Sequence, residues 1–240
     1  MSPSELARDP IEEPDVQYIH ESFQLVPGAI PEFTESFQER YLPLMSEGGA
    51  RLVGLWEPVA ISLPWSRAVT LWEIDGPAVY QQLVRTLHTK EEARLRDWQA
   101  SLRGISSGGE GRLLEAPPEA PTLADLRARG VSLDVIVHET ITTQPDRQVD
   151  YVTDVVQKWL PASEKLGRIW IGTYFTVWRN RQAFSLWALQ DPGLPLPGGS
   201  VEEREVLEGP ITREWMAGAL RVREAYDDGI MYALPPTRSG

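Results

Sequence analysis

Two kinds of hydrophobic pattern alternate along the chain, and both occur twice. Residues 16–25 (VQYIHESFQL) and 133–143 (LDVIVHETITT) are rich in Val, Ile, Thr and aromatic residues, which predicts a first strand ending at a proline-containing turn. The pattern then switches to three-to-four spacing, with Ile30, Phe33, Phe37, Tyr41 and Leu44 in the first half and Val149, Val152, Val156 and Leu160 in the second. That spacing predicts a helix with one apolar stripe, and Gly48-Gly49 and Gly167 supply its stop signal. The runs 51–58 and 67–74, and 168–178 and 183–189, predict a hairpin in each half. Helical regions at 76–103 and 211–226 follow, and short strands at 111–116 and 229–234 precede a proline pair. GISSGGEG (104–111) and DPGLPLPGGS (191–200) read as surface loops.

The halves align residue by residue. At an offset of 118, His20 matches His138, Glu21 matches Glu139, Pro27 matches Pro145, Leu42-Pro43 matches Leu160-Pro161, Gly49 matches Gly167 and Gly54 matches Gly172. Leu71-Trp72 answers Leu186-Trp187 at 115, and Pro117-Pro118 answers Pro235-Pro236 at 118. The order predicted in each copy is βαββαβ, the split βαβ arrangement. The expected organisation is an N-terminal tail (1–15), a first ferredoxin-like repeat (16–118), a linker (119–131) that includes a short helix at TLADLRARG, and a second repeat (132–236).

The strand, PG turn and helix of YIHESFQLVPGAIPEFTESF, together with the strands GARLVGLWEP and VTLWEID, resemble the NIPSNAP family of the dimeric α+β barrel superfamily. The resemblance covers most of the first copy and is fainter in the second. It implies an α+β fold in which two ferredoxin-like sheets pack face to face around a ligand-sized cavity. Relatives in that superfamily include cofactor-free monooxygenases, isomerases and cyclases; others bind haem.

Composition narrows the function. With 23 Lys+Arg against 35 Asp+Glu the formal charge is −12, which disfavours nucleic acid and anionic membranes as partners. The chain has no cysteine, so disulfides, thiolate catalysis and iron–sulfur clusters are excluded. No apolar run approaches the roughly 20 residues of a membrane span, and the start MSPSELARDP does not resemble a signal peptide. A cytoplasmic location is expected. Walker-type, GxGxxG, HExxH and GxSxG motifs are all missing. Nine Trp among 240 residues suggest either an aromatic core or an aromatic-lined site.

Strand alternation sorts candidates between a helix-covered face and a cavity face. Aliphatic neighbours Ile19 and Phe23, and Val137 and Ile141, mark the helix side, so Tyr18, His20, His138 and Thr140 should face the cavity. Aromatic positions on the other strands add Trp56, Trp72, Trp170, Tyr174, Trp178 and Trp187 to that wall. His20 and His138 are the expected proton carriers, with Tyr18 and Tyr174 as hydrogen-bond donors to a carbonyl or enolate. The competing reading is that each histidine satisfies a buried strand position. Glu21 and Glu139 fall on the helix side, with Arg40 and Lys158 as expected partners. Because adjacent strand residues face opposite ways, the two His-Glu pairs do not suit chelation of one metal.

The expected function is that of a cofactor-independent acid–base enzyme of the isomerase, cyclase or lyase type, or a monooxygenase. Its expected partner is a hydrophobic, carbonyl-containing small molecule. The alternatives are a non-catalytic carrier, a haem-binding barrel with His20 or His138 as axial ligand, and an interaction protein that forms a homo-oligomer through its sheet face.

Overall fold

The computed structural model describes residues 16–59, 66–88, 93–190, 205–206 and 208–236. The expected tail (1–15), the 191–200 loop, the acidic pair Glu202-Glu203 and the side chain of His88 lie outside the described residues. Eight strands are described: β1 (Gln17–Leu25), β2 (Arg51–Pro58), β3 (Arg67–Ile74), β4 (Ser106–Glu115), β5 (Val135–Thr143), β6 (Arg168–Thr176), β7 (Gln182–Leu189) and β8 (Arg223–Ala233). They form one closed barrel in the order β1-β3-β2-β8-β5-β7-β6-β4. Every pairing is antiparallel, and each repeat contributes four adjacent strands in split βαβ order. The seams between repeats are short, joining Trp56–Pro58 to Met231–Ala233 and Leu114–Glu115 to Phe175–Thr176. The architecture is therefore α+β, two tandem ferredoxin-like repeats packed as a dimeric α+β barrel.

The helices cover the outside of the barrel. In the first repeat α1 (Ile30–Ser36), a π-helical turn (Phe37–Tyr41) and α2 (Leu42–Glu47) run on as one rod. The second repeat reproduces this with α6 (Gln148–Asp154), a π turn (Val155–Trp159) and α7 (Leu160–Lys165). In each rod the proline of the repeated Leu-Pro pair follows the π turn, where its missing N–H and fixed φ disturb the regular ladder. The region 76–103 holds two helices, α3 (Gly76–His88) and α4 (Ala93–Ser101). In the linker, α5 (Leu123–Ala128) begins at a Thr122–Asp125 capping box. The last helix is α8 (Pro210–Ala219).

Two elements differ from the sequence expectation. The glycine-rich run 104–111 is mostly strand: β4 starts at Ser106 and pairs with β1 along its length. Glycine is what permits the close approach, because a Cβ on Gly109 would lie 2.6 Å from the Ser22 carbonyl oxygen. Likewise β8 begins at Arg223, inside the expected helix 211–226.

The described residues form three apolar cores. Two lie between the barrel and its helices, built around Phe33, Phe37, Leu55 and Trp72 in one repeat and Val152, Val155, Trp187 and Trp215 in the other. The third fills the barrel interior with Tyr18, Trp56, Leu71, Leu114, Ile136, Ile171, Tyr174, Phe184, Leu186 and Met231.

Candidate functional site

At the middle of the barrel the two repeats meet through their shared histidines. His20 on β1 pairs laterally with Leu71 and Arg112, and His138 on β5 with Leu186 and Gly229. The aliphatic outer neighbours on each strand pack against helices, so alternation turns both imidazoles inward. They touch: His20 Nε2 lies 2.9 Å from His138 Nε2, and the side chains are almost fully buried. The His20 ring stacks on Phe184 at 4.5 Å between centroids.

Burial pushes both histidines down from the ordinary imidazole range, His138 to about 3. For His20 the neighbouring His138, then Arg112 and Arg67, act in the same direction; for His138 it is Arg67 and then Arg112. Near neutral pH the pair is therefore uncharged. An Nε2 to Nε2 contact at hydrogen-bond distance then requires one ring to carry its proton on Nε2 and the other on Nδ1. Neither Nδ1 has a hydrogen-bond partner among the described residues.

One end of the barrel is closed below this pair. Tyr18 donates to Glu73 (3.4 Å) and to the Pro121 carbonyl (3.5 Å), and Tyr174 donates to the Ile171 carbonyl (3.3 Å). Glu73 also accepts from Arg51 and from the Leu123 backbone N–H, which ties α5 across the opening. Trp56 and Tyr174 lie back over the glycines two residues before them: a Cβ would sit 1.9 Å from the Trp56 ring at Gly54 and 2.2 Å from the Tyr174 hydroxyl at Gly172. Both tyrosine hydroxyls are held well above their usual range by burial, with Glu73 adding to Tyr18. These tyrosines are in the interior as expected, but their donors are engaged at the floor rather than offered to a carbonyl.

The other end is polar and becomes more exposed outward. Glu110, Thr142 and Asp227 are exposed; Thr140, Arg67, Arg112 and Gln182 are half-buried. Arg112 donates to Gln182 (2.7 Å), pairs with Glu110 (2.7 Å) and places its guanidinium 5.2 Å from the Phe184 ring centre. Arg67 makes no such bond, and its buried Nε has no partner.

Four of the expected wall residues are elsewhere. Trp72 and Trp187 belong to the helix-facing cores, where their indole N–H groups donate to Glu21 (2.8 Å) and Glu139 (3.1 Å). Trp170 faces the helices too, because a β-bulge between Trp170 and Gly172 inserts one residue and turns Ile171 inward. Trp178 is 83% exposed in the turn after β6. Trp56 is inside as expected, and Thr140 shares the inward alternation of Ile136 and His138.

Glu21 and Glu139 are on the helix side as expected, but with different partners. Glu21 accepts from Tyr41, Thr70 and Trp72, and Glu139 from Trp187, with Arg168 3.9 Å away. Lys158 pairs with Asp154 instead. Burial raises both carboxyls, Glu139 to about 7. Arg67, Arg112, Gln182 and Phe184 are the site residues that sequence reasoning missed. Arg112 lies within the expected strand 111–116 and shares the parity of inward Leu114, which is the sequence signal for it.

Haem does not fit the histidine pair as it stands, since each Nε2 is covered by the other and neither is presented to an iron. Among the described residues no group of three or more His, Asp or Glu is arranged to hold a metal ion, and no helix is long and apolar enough to cross a membrane.

No family model matches the chain, and neither does any curated protein. Solved structures do. A candidate monooxygenase from Lactobacillus acidophilus superposes with a TM-score of 0.58 at 7% identity, over 92% of this chain and 94% of that one. A second candidate monooxygenase, from Fusobacterium nucleatum, gives 0.56 at 8% identity over 91% and 92%. A candidate chlorite dismutase gives 0.52 at 14% identity over 92% and 95%. A NIPSNAP domain protein from Burkholderia xenovorans aligns with 44% of this chain and 99% of its own, at 18% identity and a TM-score of 0.39. At these identities the similarity establishes the fold, a two-repeat α+β barrel.

Proposed function

We propose that the chain is a cofactor-independent acid–base enzyme acting on a hydrophobic, carbonyl-containing small molecule that enters the barrel from its polar end. The observation that carries this is the 2.9 Å contact between His20 Nε2 and His138 Nε2 in the barrel interior. A buried, neutral imidazole is a base whose lone pair is free of a resident proton. A substrate that separates the rings exposes that Nε2, which takes a proton from the carbon beside the carbonyl. The electron pair moves into the carbonyl as an enolate, and the imidazolium returns the proton to another atom of the same molecule. Atoms balance without a second reactant, so the reaction class is isomerisation or cyclisation through an enol. The guanidinium groups above the pair disfavour the imidazolium and favour the enolate, so they lower the cost of the anion as they lower the basicity of the ring. Tyr18, Trp56 and Tyr174 form the floor, and Phe184 and Thr140 the wall. The similarity to candidate monooxygenases supports an enzyme in this fold without fixing the reaction.

The test is proton exchange. Incubation in D2O with a panel of aromatic ketones and keto acids, followed by proton NMR, should show wild-type protein accelerating exchange beside the carbonyl of at least one compound. His20→Gln and His138→Gln should reduce that rate by roughly 10²-fold or more. Exchange at the uncatalysed rate throughout the panel, or equal rates in the variants, would overturn the proposal.

A further inference from the structure

The pseudo-twofold symmetry that brings the histidines together breaks at the polar end of the barrel. The strand registers set His20 opposite Arg112 and His138 opposite Gly229. Arg67 and Gln182 are likewise the first residues of the equivalent strands β3 and β7. The first repeat therefore brings two guanidinium groups to a place where the second brings an amide and a glycine. The acidic counterparts, Glu110 and Asp227, are present in both halves and stand exposed at the rim.

The two arginines are not equally committed. Arg112 is held by Glu110 and Gln182 and lies over Phe184, which stacks on His20. Arg67 is half-buried, has no hydrogen bond or ion pair to a described residue, and keeps a buried Nε unsatisfied. An unpaired buried guanidinium N–H carries a desolvation cost that a bound anion would remove. Arg67 and Arg112 both act on the histidines as positive charges, and Arg67 in turn feels the carboxylates of Asp227 and Glu110 at the rim. Arg67 also stands two inward positions from Leu71, the residue paired with His20, so a ligand held there extends toward the imidazoles.

We infer that the barrel recognises a carboxylate, held by the uncommitted guanidinium of Arg67 on the Arg112 side of the mouth, so that the ligand is an aromatic or apolar acid whose carbonyl reaches toward His20 and His138. This rests on the acid–base proposal for what happens next, but not for binding itself. Arg presents a planar fork matched to a carboxylate, and Gly229 leaves the His138 side without a competing side chain.

The experiment compares 2-naphthoate with its neutral isostere 2-naphthamide by calorimetry, with wild type, Arg67→Met, Arg67→Lys and His138→Gln. Wild type should bind the acid at least tenfold more tightly than the amide. The preference should vanish in Arg67→Met, survive in part in Arg67→Lys, and persist in His138→Gln. Should Arg67→Met fail to fold, Arg67→Lys with a salt series takes its place, because a partly screened ion pair loses its acid preference as ionic strength rises. Equal affinities for acid and amide, no detectable binding of the acid at millimolar concentration, or an undiminished preference in Arg67→Met would each overturn the inference. Acid binding through Arg67 without any proton exchange would sustain it while removing the catalytic proposal, and exchange that is indifferent to Arg67 would do the reverse.

Discussion

Substituting His138 should change how stability responds to acid. In the folded chain burial holds this imidazole at about 3, whereas the unfolded chain leaves it near its ordinary 6.5. A base with a depressed folded pKa binds more protons when unfolded, so stability is intact above about 6.5 and falls as the pH drops toward 3. Between pH 7 and pH 5 the loss from His138 alone is about 2 kcal/mol, from roughly 1.4 kcal/mol per pKa unit. His20, shifted the same way, adds to it. Glu139 acts oppositely, since a carboxyl raised to about 7 takes up its proton in the folded chain first and gains stability as pH falls from 7 to 5. In the wild type Glu139 therefore offsets only part of the two histidine contributions. His138→Gln removes one of them. Urea unfolding at pH 5, 6 and 7 should show the variant gaining about 2 kcal/mol on wild type from pH 7 to pH 5, whatever its stability at pH 7. Parallel profiles for the two proteins would refute the claim that His138 is buried and neutral.

Other substitutions probe the rest of the frame. Glu139→Gln should stabilise the protein by about 2–3 kcal/mol at pH 8 and by little at pH 4.5, because the buried charge it removes exists only above about 7; a pH-independent effect in urea unfolding would count against this. Gly172→Ala should cost about 1–3 kcal/mol, since its Cβ would sit 2.2 Å from the Tyr174 hydroxyl. Gly218→Ala, in α8 with open space around it, should instead add about 0.5–1 kcal/mol, both changes being read by urea unfolding. Trp178→Ser should leave stability within about 0.5 kcal/mol, because the ring is exposed; a larger loss would place Trp178 in a packed site.

The duplication and the strand parity of β1 and β5 were legible because both repeats carry a His-Glu pair flanked by aliphatic residues. The fold followed from the order of the periods. What failed was the assignment of tryptophan to the ligand side. Trp72 and Trp187 sit under the helices because each indole N–H meets a carboxylate there, and the same contacts explain how Glu21 and Glu139 tolerate burial. The signal was present, since Glu21 with Trp72 and Glu139 with Trp187 recur together in both copies. It went unread because alternation alone does not say which strand faces which partner across a sheet. Trp170 was lost to a bulge, which one extra residue creates and no periodicity announces. Arg67 and Arg112 were missed for a different reason: their importance comes from barrel closure, which carries the start of β3 and the middle of β4 to the same opening as both histidines.

His20 and His138 share one proton between their Nε2 atoms inside the barrel. Nitrogen NMR of protein labelled with 15N-histidine, recorded from pH 8 to pH 4.5, tests it directly. Two neutral rings of opposite tautomer are expected, with a coupling between their Nε2 nuclei across the hydrogen bond and no titration near 6.5. Two independent imidazoles titrating near 6.5, with no coupling between them, would contradict it.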